Sequence, residues 1–351
     1  MLNSTDKDCA YKKYTVGSLF AGVGGICHAF KNASCDVLWA NEIDSNACKT
    51  YKLNNQKTKL LECDIKDLFL KDLQGIDILT AGFPCQPFSQ AGHGKGFDDE
   101  RGELFFEVPK LLKKLKPKAY LLENVRTLVT HNNGKSFAIV KEAMLKEGYS
   151  FIPFVLNAAK HTDIPQGRER IYIVGFQGES NYFYDNPVKL NKKIIDDCSL
   201  SKSFNIPKAR NKPPKKIKDF LESEVDASYF YNNLNNHIHQ KIKDEVTTDD
   251  TVYQYRRYYV RKNKSNVCPT LTANMGGGGH NIPIVLDRKM PRKLTPKECF
   301  NLQGFPATFK LPNITKGQLY KQAGNSVVMP MVQKIAKEII RVLNENTKYT
   351  T

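Results

Sequence analysis

A chain of 351 residues with 40% hydrophobic side chains can bury one large core or two unequal ones. Its formal net charge of +17 points to a polyanionic partner, nucleic acid before membrane. No stretch approaches the roughly 18 consecutive apolar residues of a membrane span, so a helical membrane protein is not expected. Met1 to Lys13 is polar and lacks the apolar core of a secretory signal. The nine cysteines are scattered, odd in number and without a Cys-x-x-Cys pair. They suggest neither a disulfide framework nor a zinc site, and so a reducing, intracellular setting.

From Tyr14 to Phe176, short apolar runs alternate with amphipathic stretches. Strands are predicted at Thr15–Phe20, Asp36–Ala40, Ile76–Ala81, Ala119–Glu123, Phe151–Leu156 and Arg170–Phe176, with helices at Ser45–Leu53, Leu104–Leu115 and Lys135–Glu147. This alternation predicts a doubly wound, mixed but mainly parallel α/β sheet. Composition then shifts. Residues 186–290 are rich in Lys and Asn, with Pro213-Pro214, a Tyr/Arg cluster and a run from Gly276 to Gly279, which reads as a smaller irregular basic domain. Helix returns at Thr295–Leu302 and Val328–Leu343, and the last helix is expected to pack back on the first domain. The expected organisation is a catalytic domain over 1–185 completed by 320–351, a second domain over 186–290 and a return segment over 291–319.

Two loops carry chemistry. Phe20-Ala21-Gly22-Val23-Gly24-Gly25 follows the first strand and opens a helix, where glycines let the backbone approach a ligand. Glu42 lies about 20 residues on, placed to accept bonds from ribose hydroxyls. Asp64 and Ile65 offer a carboxylate and an apolar side chain to a nucleoside base. The third glycine of the dinucleotide fingerprint is missing, so a nucleoside with a non-phosphate tail fits better than a pyrophosphate. The second loop is Gly82-Phe83-Pro84-Cys85-Gln86-Pro87-Phe88-Ser89. It places a thiol beyond a strand end, between two prolines that fix φ and stiffen the chain around it.

With these segments in order, the chain resembles the DNA (cytosine-5-)-methyltransferases of bacterial restriction–modification systems. The resemblance spans nearly all of it. It rests on the glycine loop, Glu42, Asp64-Ile65, Pro84-Cys85-Gln86 and Glu123-Asn124-Val125. It continues through Gln166-Gly167-Arg168-Glu169-Arg170, Arg292-Lys293-Leu294-Thr295-Pro296-Lys297-Glu298 and Gly324-Asn325-Ser326-Val327. It implies the class I S-adenosylmethionine-dependent methyltransferase fold, with S-adenosyl-L-methionine as cofactor. Carbon 5 of cytosine is a poor nucleophile. Addition of the Cys85 thiolate to carbon 6 would make the ring an enamine able to attack a methyl donor. Glu123 would donate at N3, with a pKa raised by burial. Arg168 would hold O2, and Arg170 would brace Glu123 or the loop.

The same resemblance places Phe20, Ala21, Gly22, Gly24, Gly25, Glu42, Ile43, Asp64, Ile65, Pro84, Leu104, Asn325 and Ser326 around the cofactor. Ile43 stands where an aromatic is common, which reduces stacking on adenine to apolar contact. Ser89 to Arg101 is glycine-rich and polar, fit for a loop closing over DNA or for a plain linker. The target base would be rotated out of duplex DNA into the pocket. Gln86, Ser89, Arg256, Arg257, Arg261, Thr270, Leu271, Gly276 and Gly277 are the expected DNA contacts, the arginines at phosphates. Tyr255, Tyr258 and Tyr259 serve as core or as contacts. The expectation is a bacterial cytoplasmic, nucleoid-associated monomer that binds double-stranded DNA, with a restriction endonuclease as a genetic partner. An RNA cytosine-5 methyltransferase and an inactive DNA-binding protein are the alternatives. The roughly 100-residue basic insertion disfavours the first, being large enough to bury a DNA interface. The intact Cys85, Glu123 and Arg168 disfavour the second.

Overall fold

The computed structural model describes residues 13–68, 73–84, 103–178, 181–183, 195–196, 198–233, 235–256, 258–263, 266–276 and 281–347. Cys85, Gln86, Ser89, Arg257 and Gly277 lie outside the described residues. Seven strands form the main sheet: β1 (Thr15–Leu19), β2 (Asp36–Asn41), β3 (Lys59–Leu61), β4 (Ile78–Ala81), β5 (Ala119–Val125), β6 (Ile152–Asn157) and β8 (Glu169–Phe176). Between β6 and β8 lies a two-residue strand, β7 (Gln166–Gly167), which pairs with Cys268–Pro269 of the second domain. The main sheet runs β3-β2-β1-β4-β5-β8-β6, parallel except for β8, which is antiparallel to both neighbours.

Strands buried on both faces read as continuous apolar runs. All four residues of β4 are buried, as are the first four of β5. On one face Val332, Ile335 and Ile339 of the helix Met329–Thr347 pack with Ile26, Ala29 and Phe30 of the helix Gly25–Lys31. The last helix therefore does return to the first domain. On the other face lie the helices Glu107–Leu115 and Lys135–Lys146, through Val108, Leu111, Leu112, Val140 and Met144. The result is a three-layer α/β/α unit.

Small departures from the predicted elements have local causes. β1 stops at Leu19 because Phe20 takes φ +52°, which turns the chain out of the strand. Leu104–Phe106 is a 3-10 turn leading into the helix Glu107–Leu115. Asp64 lies beyond β3, where its carboxylate accepts from Lys66 N at 2.9 Å and caps the turn Ile65–Asp67.

The second domain holds a four-stranded antiparallel sheet in the order Tyr259–Lys262, Tyr253–Arg256, Ile284–Asp287, Met290–Lys293. The expected boundary at residue 290 thus falls inside a hairpin. At the other end, Leu200, Phe204 and Ile206 belong to the first domain's core, and the Phe204 ring lies 5.8 Å from that of Phe154. The abundance of Lys and Asn around these three residues hides their apolar contribution. Arg292 and Glu298 join the return segment to this sheet. Both side chains are fully buried, paired at 2.8 and 2.7 Å, with Arg292 Nε also donating to Asp287 at 2.6 Å. Removing one partner strands a buried carboxylate, so Arg292→Met should lose about 3–5 kcal/mol in urea unfolding. A loss below about 1 kcal/mol would show that the pair contributes little.

Candidate active site

Phe20, Glu42, Asp64 and Gly82 follow the ends of the adjacent parallel strands β1, β2, β3 and β4, on the sheet edge where α/β proteins hold ligands. Gly22 and Gly24 take φ of +56° and +91°, the left-handed region that glycine enters without steric cost. Phe20 holds a positive φ without that freedom, a strain typical of functional loops. The Glu42 carboxylate organises the turn. It accepts from Gly22 N at 2.7 Å, Ile43 N at 2.9 Å and Asp44 N at 2.8 Å. A carboxylate has about four lone-pair directions, so acceptor capacity remains.

Beside it Ile43 is 65% exposed, while Phe20 and Leu104 pack with the buried Ile65 and Phe83. Ala21 is buried and donates its N–H to Asn41 O at 2.9 Å. Pro84 is partly exposed at the last described residue before Cys85. Gly25 abuts the turn after the helix Lys316–Asn325: a Cβ there would fall 2.8 Å from Ser326 Oγ. Asn325 is exposed and Ser326 buried. The expected cofactor residues thus come from separate stretches of chain to one rim of the sheet.

The loop that carries Cys85 leaves β4 next to Glu123 on β5. A Cβ on Gly82 would lie 3.7 Å from Glu123 Oε2, and Asn124 Nδ2 donates to Phe83 O at 3.2 Å. Asn124 is the tether that sequence reasoning left without a role. The Glu123 side chain is 12% exposed, with Arg170 Nε 3.2 Å from Oε1. Burial pushes the Glu123 carboxyl pKa up, against the pull of Arg170 and then Arg168. A protonated carboxylic acid beside a guanidinium can donate a proton at one edge of a bound base.

Arg168 does not take the place expected of it. Its side chain is buried, with Nη1 donating to Leu271 O at 2.8 Å and Nη2 to Ser326 O at 2.6 Å and Gly324 O at 3.2 Å. Those carbonyls occupy the fork that was to hold O2 of the target base, and Arg170 is the guanidinium that faces Glu123. Leu271 is likewise fully buried in the apolar core, so it cannot touch DNA. Thr270 donates its hydroxyl to Gly167 O at 2.7 Å, and Gln166 accepts from Leu271 N at 3.1 Å. Gln166 also donates to Leu302 O at 2.7 Å, and Gln303 to Ala323 O at 2.7 Å.

Gly324 completes this seam, because a Cβ there would lie 2.2 Å from the Thr272 carbonyl carbon. Gly276 ends the turn Ala273–Gly276, which packs on the helix Lys316–Asn325. Residues 166–168, 270–273 and 324–326 therefore clasp the two domains together. Arg168→Lys keeps the charge but not the fork, so it should cost about 2 kcal/mol or more of stability. Unchanged stability with a collapsed kcat would return Arg168 to the substrate.

The sequence pattern of the C-5 cytosine-specific DNA methylases matches residues 14–341. This chain belongs to that family. It is a DNA cytosine-5 methyltransferase. It is 45% identical to the type II methyltransferase M.Bsp6I of Bacillus sp. (strain RFL6), over 93% of this chain and 98% of that protein. With M.HaeII of Haemophilus aegyptius it shares 36% identity over 96% of each chain. M.HhaI of Haemophilus parahaemolyticus is 34% identical over 93% of this chain and 94% of its own. In fold, this methyltransferase is similar to the S. pombe Dnmt2 methyltransferase, with a TM-score of 0.67 at 23% identity over 95% of this chain and 100% of that one. The Entamoeba histolytica methyltransferase EhMeth gives a TM-score of 0.68 at 19% identity, over 95% of this chain and 99% of that one.

Proposed function

We propose that this methyltransferase moves a methyl group from S-adenosyl-L-methionine to carbon 5 of a cytosine rotated out of a specific duplex DNA sequence, through a covalent Cys85–carbon 6 bond. The observation that carries the reading is Glu123, a largely buried acid with a raised pKa, beside Arg170 and against the glycine that opens the Cys85 loop. The glycine turn suits the cofactor: Glu42 keeps acceptor capacity for ribose hydroxyls, and Ile65 and Leu104 offer apolar walls. Bound there, S-adenosylmethionine would supply the electrophilic methyl group.

The chain's own groups do the rest. The Cys85 thiolate forms a bond to carbon 6, and the displaced electron pair reaches N3, where Glu123 delivers its proton. Arg170 holds Glu123 in place through both protonation states. Once carbon 5 carries the methyl group, its hydrogen leaves to solvent as a proton. The Cys85–carbon 6 bond then breaks, and Glu123 recovers its proton from N3. The relatives named as type II methyltransferases support a role in protecting host DNA against a cognate restriction endonuclease.

Tritiated methyl transfer to duplex DNA and to tRNA tests the reading. Duplex DNA should be labelled and tRNA should not, with the label in 5-methylcytosine; the reverse pattern would favour the RNA alternative. Duplex affinity should fall roughly 10³-fold or more between 50 and 200 mM salt, as phosphate contacts release counterions. A flat salt response would remove the basic domain from the interface.

A further inference from the structure

Ile206 to Lys218 holds six Lys or Arg residues among thirteen, and no acid. The ends of this segment are sunk in different cores. Phe204 and Ile206 pack in the first domain, while Ile217 is buried with Val252, Leu271 and Val285. Between the ends, Pro207, Pro213 and Pro214 fix φ and offer no N–H, which keeps the stretch out of helix and sheet. Lys208, Lys212, Lys215 and Lys216 are exposed. None of the four has a carboxylate partner among the described residues.

The segment is nonetheless pinned to the first domain. Arg210 N donates to Lys160 O and Lys215 N to Asp163 O, both at 2.9 Å. The Arg210 guanidinium pairs with Asp163 at 2.5 Å. Lys334, on the helix Met329–Thr347, joins from the side and donates to His161 O at 2.6 Å. Burial and then the nearby Arg210 lower the Lys334 pKa, so cations are already crowded here. Like charges held on one ridge repel, and a polyanion lying against them relieves that cost.

The place of the anchor decides which polyanion. β6 and β5 are both antiparallel to β8 and so parallel to each other. Residues 158–163 therefore leave β6 at the same sheet edge toward which Glu123 lies on β5. A duplex that delivers a cytosine to that edge continues past it in both directions, with one phosphate charge per about 1.7 Å of its axis. Free lysines suit such a partner, because a phosphate needs a cation within reach and no fixed fork.

We propose that the 206–218 segment is a second DNA surface, outside the target site, where Lys208, Lys212, Lys215 and Lys216 hold phosphates of the flanking duplex. This rests on the duplex-DNA reading above and extends it to DNA beyond the target sequence. The test uses full-length protein, after bisulfite sequencing of a methylated plasmid has supplied that sequence. Affinity is measured with S-adenosylhomocysteine, which permits binding without transfer, on target duplexes of about 14 and about 60 base pairs. Wild type should bind the longer one about ten- to a hundredfold more tightly at low salt. Replacing the four lysines together by Gln should remove that advantage and leave the short duplex unchanged. The slope of log affinity against log salt on the long duplex should shrink by about 3 to 4. Arg at all four positions keeps the charge and should keep the advantage.

A length advantage that survives the Gln variant would overturn the proposal, as would its absence from wild type. An equal fall on both duplexes would put the lysines at the target itself, not on flanking DNA, and overturn it too. Loss of the advantage in the Arg variant would assign the effect to packing and do the same. So would a fall in tRNA affinity with duplex binding untouched, which would mark an RNA surface. Wild type that methylates no duplex would overturn the methyl-transfer reading and this proposal with it. Methylation of the short duplex with no effect of the four lysines on the long one overturns this proposal alone.

Discussion

A duplex carrying 5-fluorocytosine at the target position should trap this enzyme as an adduct that survives denaturation and gel electrophoresis. If the Cys85 thiolate adds to carbon 6, the methylated product is released only when carbon 5 gives up a proton. Fluorine cannot leave in that way, so the Cys85–carbon 6 bond persists. The adduct should require S-adenosylmethionine. It should vanish in Cys85→Ser, because an alcohol is a far weaker nucleophile near neutral pH. Turnover in that variant should fall by about 10⁴-fold or more, the scale on which loss of a nucleophile is felt. Cys27, Cys35, Cys48, Cys198, Cys268 and Cys299 are buried and should be dispensable for the adduct. For Cys27 and Cys268 burial also raises the pKa, disfavouring the thiolate. A trapped complex in Cys85→Ser, or none with active wild type, would sink the covalent mechanism.

Glu123→Gln should lower kcat by about 10²–10⁴-fold, the range of a lost general acid, while S-adenosylmethionine affinity barely changes. The pH profile separates a proton donor from a structural residue. Burial raises the Glu123 pKa, so its protonated form persists to higher pH than in a solvated glutamate. For wild type, kcat/KM should decline as pH rises through that raised value. The variant cannot titrate there, so the same limb should be missing from its residual activity. A limb that survives in Glu123→Gln would assign it to another group. Near-wild-type turnover would end the acid role altogether.

Much of this protein was legible in its sequence because the relevant signals are local. Alternating apolar runs and amphipathic stretches specify a doubly wound sheet through burial alone, and β4 and β5 are buried as their composition requires. The glycine loop was readable because left-handed backbone needs glycine at Gly22 and Gly24, whatever the rest of the chain does. The position of Glu123 beside the loop after β4 was readable because it ends the predicted strand that pairs with β4, and neighbouring strand ends converge.

Arg170 faces Glu123, as its expected bracing place requires, but the place of Arg168 was not readable from the spacing of the motif. The two stand two positions apart in one motif with the same chemistry. One faces Glu123 across a neighbouring strand, while the other reaches carbonyls 103, 156 and 158 positions away. For the same reason Leu271 read as a DNA contact and proved to be core, and Phe204 proved to pack on the first domain. Local pattern sets which groups exist and which backbone they sit on. Which acceptors surround a guanidinium, and which apolar side chain finds a core, is decided by distant segments whose positions only the packed tertiary structure defines.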